Sequence, residues 1–307
     1  MRCFLSMPAR TCGLRCHLTI ESNLHKRIEN SVTKRGPGLI ITADDFGLHE
    51  SVNQAVERAH REGVLSAASL MVAAPAAADA IARARAFPSL RVGLHLVLAD
   101  GQSILPHAAI PDLVDAKGRF GDRMARDGVR CFFLPWVRRQ LAAEIRAQFE
   151  AFAANGLPLD HVNTHKHFHL HPTLLRMIID IGRPFGLRAI RWPNERRTPL
   201  LLKPWLALLR RKLSKAGIEH NDHMVGIEYS GKFDETALLD TLARLPRHGI
   251  GEIYLHPALI SGAEIGASMP TYRHADEFAA LISPRVRAAL DRLEVPVGGF
   301  SDLMRLT

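Results

Sequence analysis

Four short segments of this 307-residue chain carry side chains suited to proton transfer or metal binding. They are Asp44-Asp45, His95, the run His165-Lys166-His167-Phe168-His169, and His256. In extended backbone, positions 165, 167 and 169 point to one side. Three imidazoles stacked in that way have little structural use, since each needs hydrogen-bond partners and their charges repel. Around a cation and a developing negative charge the same stack is useful; three surface histidines in a loop are the bland alternative. Asp44-Asp45 follows an apolar run, and adjacent side chains there face different ways. One carboxylate could bind a metal while its neighbour handles a proton, although Asp is also favoured as the N-cap of a following helix. His95 interrupts the apolar run Val92-Gly93-Leu94-His95-Leu96-Val97-Leu98 and reads either as a ligand or as a satisfied core histidine. His256, before Pro257, is a candidate proton donor or acceptor. Arg191 and Trp192 end another apolar segment, where substrate contact and packing are equally open.

These residues need elements to hold them. Apolar runs at 39–41, 68–73, 92–98, 161–164, 187–192, 225–228 and 253–255 read as strands. Helical spacing appears at 51–61, 76–86, 138–154, 174–181, 200–216, 235–245 and 285–293, and the last of these leads into 295–300. Residues 99–135, with several Pro, Gly and Asp, read as a long inserted loop. About seven strand–helix alternations imply parallel strands joined by crossover helices. No Gly-rich nucleotide loop follows the first strand, so a distorted TIM-like (β/α) barrel of about seven strands is expected rather than an open sheet. Each polar cluster falls at or just after a strand end, and in such a barrel those ends converge on one mouth.

Composition narrows the functional classes. The formal charge is +9, and part of it sits in residues 1–37, where seven Lys and Arg face two Glu. A second basic block comprises Lys203, Arg210, Arg211, Lys212 and Lys215. No nucleic-acid motif accompanies either block and aromatics are sparse, so no nucleic-acid partner is expected. Cys3, Cys12 and Cys16 lie in the first 37 residues and Cys131 stands alone, which is no disulfide framework. Residues 1–37 are expected to be a disordered basic extension preceding a single catalytic domain over 38–307. That extension lacks the continuous apolar segment of a signal peptide, so the cytoplasm is the default compartment.

Taken together, Thr42-Ala43-Asp44-Asp45-Phe46-Gly47-Leu48, Gly93-Leu94-His95-Leu96, the segment 165–171 and Leu255-His256-Pro257 resemble the YdjC/ChbG-type carbohydrate deacetylases. The resemblance spans roughly residues 38–303. It is closest to the hopanoid-biosynthesis-associated HpnK branch, through the run from Asp160 to Pro172 and through Phe132-Phe133-Leu134-Pro135. It implies hydrolysis of the acetamide of an N-acetylglucosaminyl substrate, with Asp45, His95 and His165 holding one divalent metal ion. It also implies Asp44 as general base, His256 as catalytic acid, and His167 and His169 in or near the pocket. Two imidazoles and a carboxylate suit Zn²⁺ on ligand preference, whereas the family resemblance points to Mg²⁺ in some members. Many relatives have Asp-Ser-His where this chain has Asn163-Thr164-His165, so the charge of that aspartate is missing here.

The HpnK likeness implies a lipid-linked sugar as substrate and a peripheral contact with the inner face of the cytoplasmic membrane. Residues 200–216 suit such a contact, combining Leu201, Trp205, Leu208, Leu209 and Leu213 with cations. So does the aromatic cluster Phe132, Phe133 and Trp136. Three other readings stand beside this one: a deacetylase of soluble chitin oligosaccharides, a different metallohydrolase barrel, and a non-enzymatic histidine-rich metal carrier.

Overall fold

The computed structural model describes residues 36–266 and 268–304. The expectation of a disordered basic extension over 1–37 falls almost wholly outside the described residues.

Six parallel strands form one sheet in the order β4-β3-β2-β1-β6-β5. They are β1 (Gly38–Phe46), β2 (Ala67–Leu70), β3 (Arg91–Leu96), β4 (Val162–Thr164), β5 (His223–Val225) and β6 (Ile250–Leu255). β1 is buried at every position, as a central strand covered on both faces must be. It pairs with β2 on one side and β6 on the other, so the first and last strands meet and the sheet curls. Among the described residues ten helices connect or flank the strands: α1 (Glu50–Glu62), α2 (Ala77–Ala86), α3 (Met124–Phe133), α4 (Pro135–Ala154), α5 (Pro172–Gly182), α6 (Lys203–Lys215), α7 (Glu235–Ala243), α8 (His274–Leu281), α9 (Pro284–Asp291) and α10 (Phe300–Leu303). α1 shows how they pack: Val52, Ala55, Val56 and Ala59 recur at helical spacing and are its buried apolar side chains.

The curled α/β sheet is the expected barrel class, but with six strands rather than seven. Segment 187–192 pairs with β4 and with the chain leading into β5 by only one residue on each side, Ile190 to Val162 and Ala189 to Glu219. Its ladder stops because the Trp192 N–H donates to the Asn221 side chain at 2.6 Å, and Pro193 has no N–H to offer. These single pairings bridge the gap between β4 and β5. Segment 295–300 likewise meets β1 only through Val297 and Leu39 before entering α10.

Two further expectations are corrected. Residues 99–135 are not all loop, since α3 occupies Met124–Phe133 and stops at Leu134, where the following proline disfavours helical backbone. The helix expected over 200–216 is divided into a 3-10 turn at Leu200–Leu202 and α6, with Pro204 in the first turn of α6. α8 had no counterpart in the sequence reading. Among the described residues no helix is long and apolar enough to cross a membrane.

Candidate active site

Three strand ends deliver the central cluster. Asp45 lies in the last turn of β1, His95 near the end of β3, and His165 directly after β4. One ligand atom from each lies within 4.8 Å of the others. His95 Nε2 and His165 Nδ1 stand 3.3 and 3.2 Å from the same Asp45 oxygen, and 3.3 Å from each other. All three residues are buried.

Local backbone strain sets this geometry. The β1–β2 register shifts between Ala43 and Phe46, and Asp45 sits at φ 62°, a left-handed conformation that L-residues other than Gly, Asn and Asp rarely take. The bulge breaks the regular alternation of β1 at the two aspartates. It also settles the alternative of a helix cap, because the N-cap of α1 is His49.

The histidine run departs from the extended form expected of it. Residues His165–Leu170 make a tight 3-10 turn in which Lys166 and His167 adopt φ of 56° and 53°. Thr164 Oγ1 drives the reversal, accepting the His169 backbone N–H at 3.0 Å and bonding His169 Nδ1 at 2.8 Å. Three imidazoles therefore face three directions. His165 meets Asp45, His167 Nε2 lies 3.1 Å from the Tyr254 hydroxyl, and His169 folds back on Thr164.

The donor set fits a divalent cation. Both Asp45 oxygens are buried and accept no well-aligned hydrogen bond among the described residues, yet two imidazole nitrogens crowd one of them. His95 Nδ1 is 2.7 Å from Asn163 Oδ1, an arrangement that assigns the proton to Nδ1 and turns the Nε2 lone pair toward Asp45. Two nitrogens and one carboxylate oxygen then converge, a common set for transition metals. Burial pushes the Asp45 pKa up, but the combined influence of His165, His95 and His256 outweighs it and holds the carboxyl well below its usual range. Burial likewise disfavours charged His165, and Asp45 more than offsets it, leaving the imidazole above its ordinary value.

Asp44 belongs to a different environment. Its two oxygens receive Arg191 Nη1 and Nη2 at 2.5 and 2.9 Å, and Asn163 Nδ2 approaches at 3.1 Å. Arg191, sealed from solvent, also donates from Nε and Nη2 to Glu252 Oε1 at 2.9 and 2.8 Å, and its guanidinium lies 4.7 Å over the Tyr254 ring. Burial is the largest single influence on Asp44 and pushes it upward, but the charge and hydrogen bonds of Arg191 together with the charges of His95 and His256 outweigh it and keep the carboxyl far below the ordinary range. Asn163 passes the network on, donating to Ser69 Oγ at 2.9 Å. Ser69 Oγ lies 3.0 Å from His161 Nε2, and His161 Nδ1 lies 2.9 Å from Asp160. Gly93 makes room for this chain, because a Cβ there would fall 2.5 Å from the His161 ring.

Three further histidines, His167, His169 and His256, lie within electrostatic reach of Asp44. Burial lowers the pKa of each, His169 to about 3. Among the described residues His167 Nδ1, His169 Nε2 and His256 Nδ1 are buried without a hydrogen-bond partner. The His256 backbone is pinned by Glu277, which accepts its N–H at 2.5 Å, and by His274 Nδ1, 2.6 Å from its carbonyl. Asp44 and Asp45 act on His256 electrostatically. Trp192 is a core residue whose N–H and C=O are both held by the Asn221 side chain. A cavity of about 400 Å³ opens beside His165 and Asp100, walled largely by Leu48, Met71, Val97 and Met269.

Sequence reasoning missed Glu252, Ser69 and Tyr254. Glu252 carried a readable signal, a carboxylate inside the apolar strand Ile250–Leu255, of the kind that drew notice to His95.

Residues 38–292 match the model of the family described as YdjC-like protein. The chain is 29% identical over 265 residues to a carbohydrate deacetylase of Brevibacillus brevis, covering 86% of this chain and 99% of that one. It is 30% identical to a chitooligosaccharide deacetylase of Serratia marcescens, covering 86% and 98%. Among solved structures it superposes with a TM-score of 0.71 and 25% identity on an Enterococcus faecalis protein provisionally described as cleaving cellobiose phosphate, covering 88% of this chain and all of that one.

Proposed function

From the premise that this chain belongs to the YdjC-like protein family, we propose that it is a divalent-metal-dependent carbohydrate N-deacetylase, hydrolysing the acetamide of an N-acetylglucosaminyl substrate. One observation carries the reading: Asp45, His95 and His165 converge within 4.8 Å, with the separately held carboxylate Asp44 next in sequence. The names of the relatives agree with it, since they are carbohydrate and chitooligosaccharide deacetylases.

Asp45, His95 and His165 would hold the cation, which would supply polarisation of the substrate carbonyl and acidification of water. Asp44 is the general base. Pairing with Arg191 and the charges of His95 and His256 favour its ionised form, and it takes a proton from the attacking water. The same pairing makes it a weak base, so the transfer is favourable only toward an acidified water. His256 is the proton donor to the departing sugar amine. Burial disfavours its charged form, while the charges of Asp44 and Asp45 work in the opposite sense. His167 and His169, with nitrogens unpartnered among the described residues, contact the sugar or its acetyl group.

The finer reading of the substrate is a lipid-linked sugar, an N-acetylglucosaminyl hopanoid. It is supported by the likeness of the segments from Asp160 to Pro172 and from Phe132 to Pro135 to the HpnK branch. Contact with the inner face of the cytoplasmic membrane goes with it. Soluble chitin oligosaccharides are the second reading, favoured by the name of the Serratia relative. Incubating metal-loaded protein with N-acetylglucosaminyl hopanoid and with diacetylchitobiose separates the two, the expected result being faster acetate release from the lipid-linked sugar. Preference for diacetylchitobiose establishes the second reading, and no acetate from either overturns both.

A further inference from the structure

The most exposed large apolar side chains of the described residues fall in two short segments, 129–136 and 200–208, that border one groove. Leu201 is 93% exposed, Leu200 78% and Phe133 68%, while Phe132 and Trp136 are each about half exposed. Phe132 and Phe133 pack edge to face at 4.9 Å. Phe132 also lines an open groove between the starts of α4, α5 and α6, together with Trp205 and Leu208. Exposed apolar side chains that border a groove rimmed by polar residues mark an interaction surface.

The charge of the same groove selects the occupant. Arg138, Arg139, Arg176 and Lys212 line it against a single acid, Asp180. Asp180 is 3.4 Å from Arg176, and among the described residues Arg138, Arg139 and Lys212 make no salt bridge. Exposed leucines and aromatics flanked by unpaired cations match the interfacial layer of a bilayer, where rings sit at headgroup level and cations meet lipid phosphates. A polar protein partner would leave the leucines unsatisfied. Nucleic acid would have no use for them.

We propose that this face docks on an anionic lipid bilayer. The assignment goes beyond deacetylation and stands without it. The face also adjoins the histidine turn: Trp205 Nε1 donates to the Leu170 carbonyl at 3.2 Å, and Phe132 lies 6.3 Å from the His171 ring. Docking therefore takes place against the end of the turn whose first residue is His165.

The test is co-sedimentation of the full-length protein with vesicles of phosphatidylcholine alone and of phosphatidylcholine with phosphatidylglycerol, at low and high salt. Binding is expected only to the anionic vesicles and is expected to weaken with salt. Each neutralised cation should weaken it about five-fold, so Arg138→Gln with Arg139→Gln should lose about 25-fold. Phe133→Ser with Leu201→Ser, both highly exposed, should abolish it while acetate release from a soluble chitin disaccharide stays unchanged. That readout separates failure of the docking face from failure of the deacetylase reading. No binding to anionic vesicles at low salt overturns the proposal, as does binding that ignores both variants. A dimer that Phe133→Ser and Leu201→Ser disperse, in protein that ignores vesicles, would make the face a contact between copies and equally overturn it.

Discussion

The two carboxylates that begin the site are neighbours in sequence and opposites in environment. Asp44 accepts three hydrogen bonds, from Arg191 and Asn163, with a chain of buried hydrogen bonds behind them reaching Ser69, His161 and Asp160. Asp45 has two buried oxygens that accept no well-aligned hydrogen bond among the described residues, with two imidazole nitrogens set against one of them. A buried carboxylate without donors costs several kcal/mol unless something cationic compensates. The difference separates a carboxylate whose charge the protein itself balances from one that, on the proposed reading, is left for a cation. A left-handed residue at a bulge produces it, since regular strand geometry would give both side chains ordinary sheet neighbours.

The largest effect should come from the open side. Asp45→Ala removes a proposed metal ligand, and kcat/KM for deacetylation should fall by roughly three orders of magnitude or more, since the metal supplies several kcal/mol of transition-state stabilisation. A steady-state acetate assay at saturating metal checks this, and a loss below ten-fold would place the ion elsewhere.

The closed side should answer in stability instead. Arg191→Met leaves Asp44 and Glu252 as buried carboxylates without their shared cation, and unfolding free energy should drop by about 3–5 kcal/mol. Urea denaturation reads it directly. Thr42 Oγ1 still reaches Glu252 at 2.9 Å, but a hydroxyl does not replace a guanidinium. A stability change under 1 kcal/mol would mean that Asp44 is far less dependent on Arg191 than its contacts indicate.

Much of this contrast was legible in the sequence, and the reasons differ by residue. Asp44-Asp45 and His95 announced themselves because polar residues at the end of, or inside, short apolar strands must be used for something. The barrel class followed from the alternation of strand and helix. The histidine run was legible as a site but not as a shape. Its turn depends on Thr164 Oγ1 capturing the His169 amide, a contact one hydroxyl decides and periodicity does not encode. Segment 187–192 looked like a strand and has strand-like residues, but a tertiary contact, the Asn221 side chain, takes the place of its ladder partner. Asn163 looked like a weakened position beside an aspartate, yet its amide reaches in both directions, accepting from His95 and donating to Asp44 and Ser69. An aspartate there would put a second carboxylate at hydrogen-bond distance from the first.

A smaller effect concerns the buried histidines near Asp44. The pKa of His169 is pushed down to about 3 by burial, whereas an unfolded histidine titrates near ~6.5. Between those values the unfolded chain binds a proton at this position and the folded chain does not, so stability rises with pH and is lost as pH falls. From pH 7 to pH 5 the loss from this residue is about 2 kcal/mol. His167 shifts in the same direction. His169→Gln should flatten this slope by that amount in urea unfolding at the two pH values. An unchanged slope would mean that His169 is protonated in the folded protein.

The central claim is that Asp45 holds the ion while Asp44 handles the proton, and one paired measurement reaches it. Metal content per chain, taken by elemental analysis after equilibrium dialysis, is to be read beside turnover for Asp44→Asn and Asp45→Asn. The expected result is about one ion retained in Asp44→Asn with turnover down ~10²–10⁴-fold, and the ion lost in Asp45→Asn. Full turnover in Asp44→Asn, or an undiminished ion in Asp45→Asn, would contradict the division of labour.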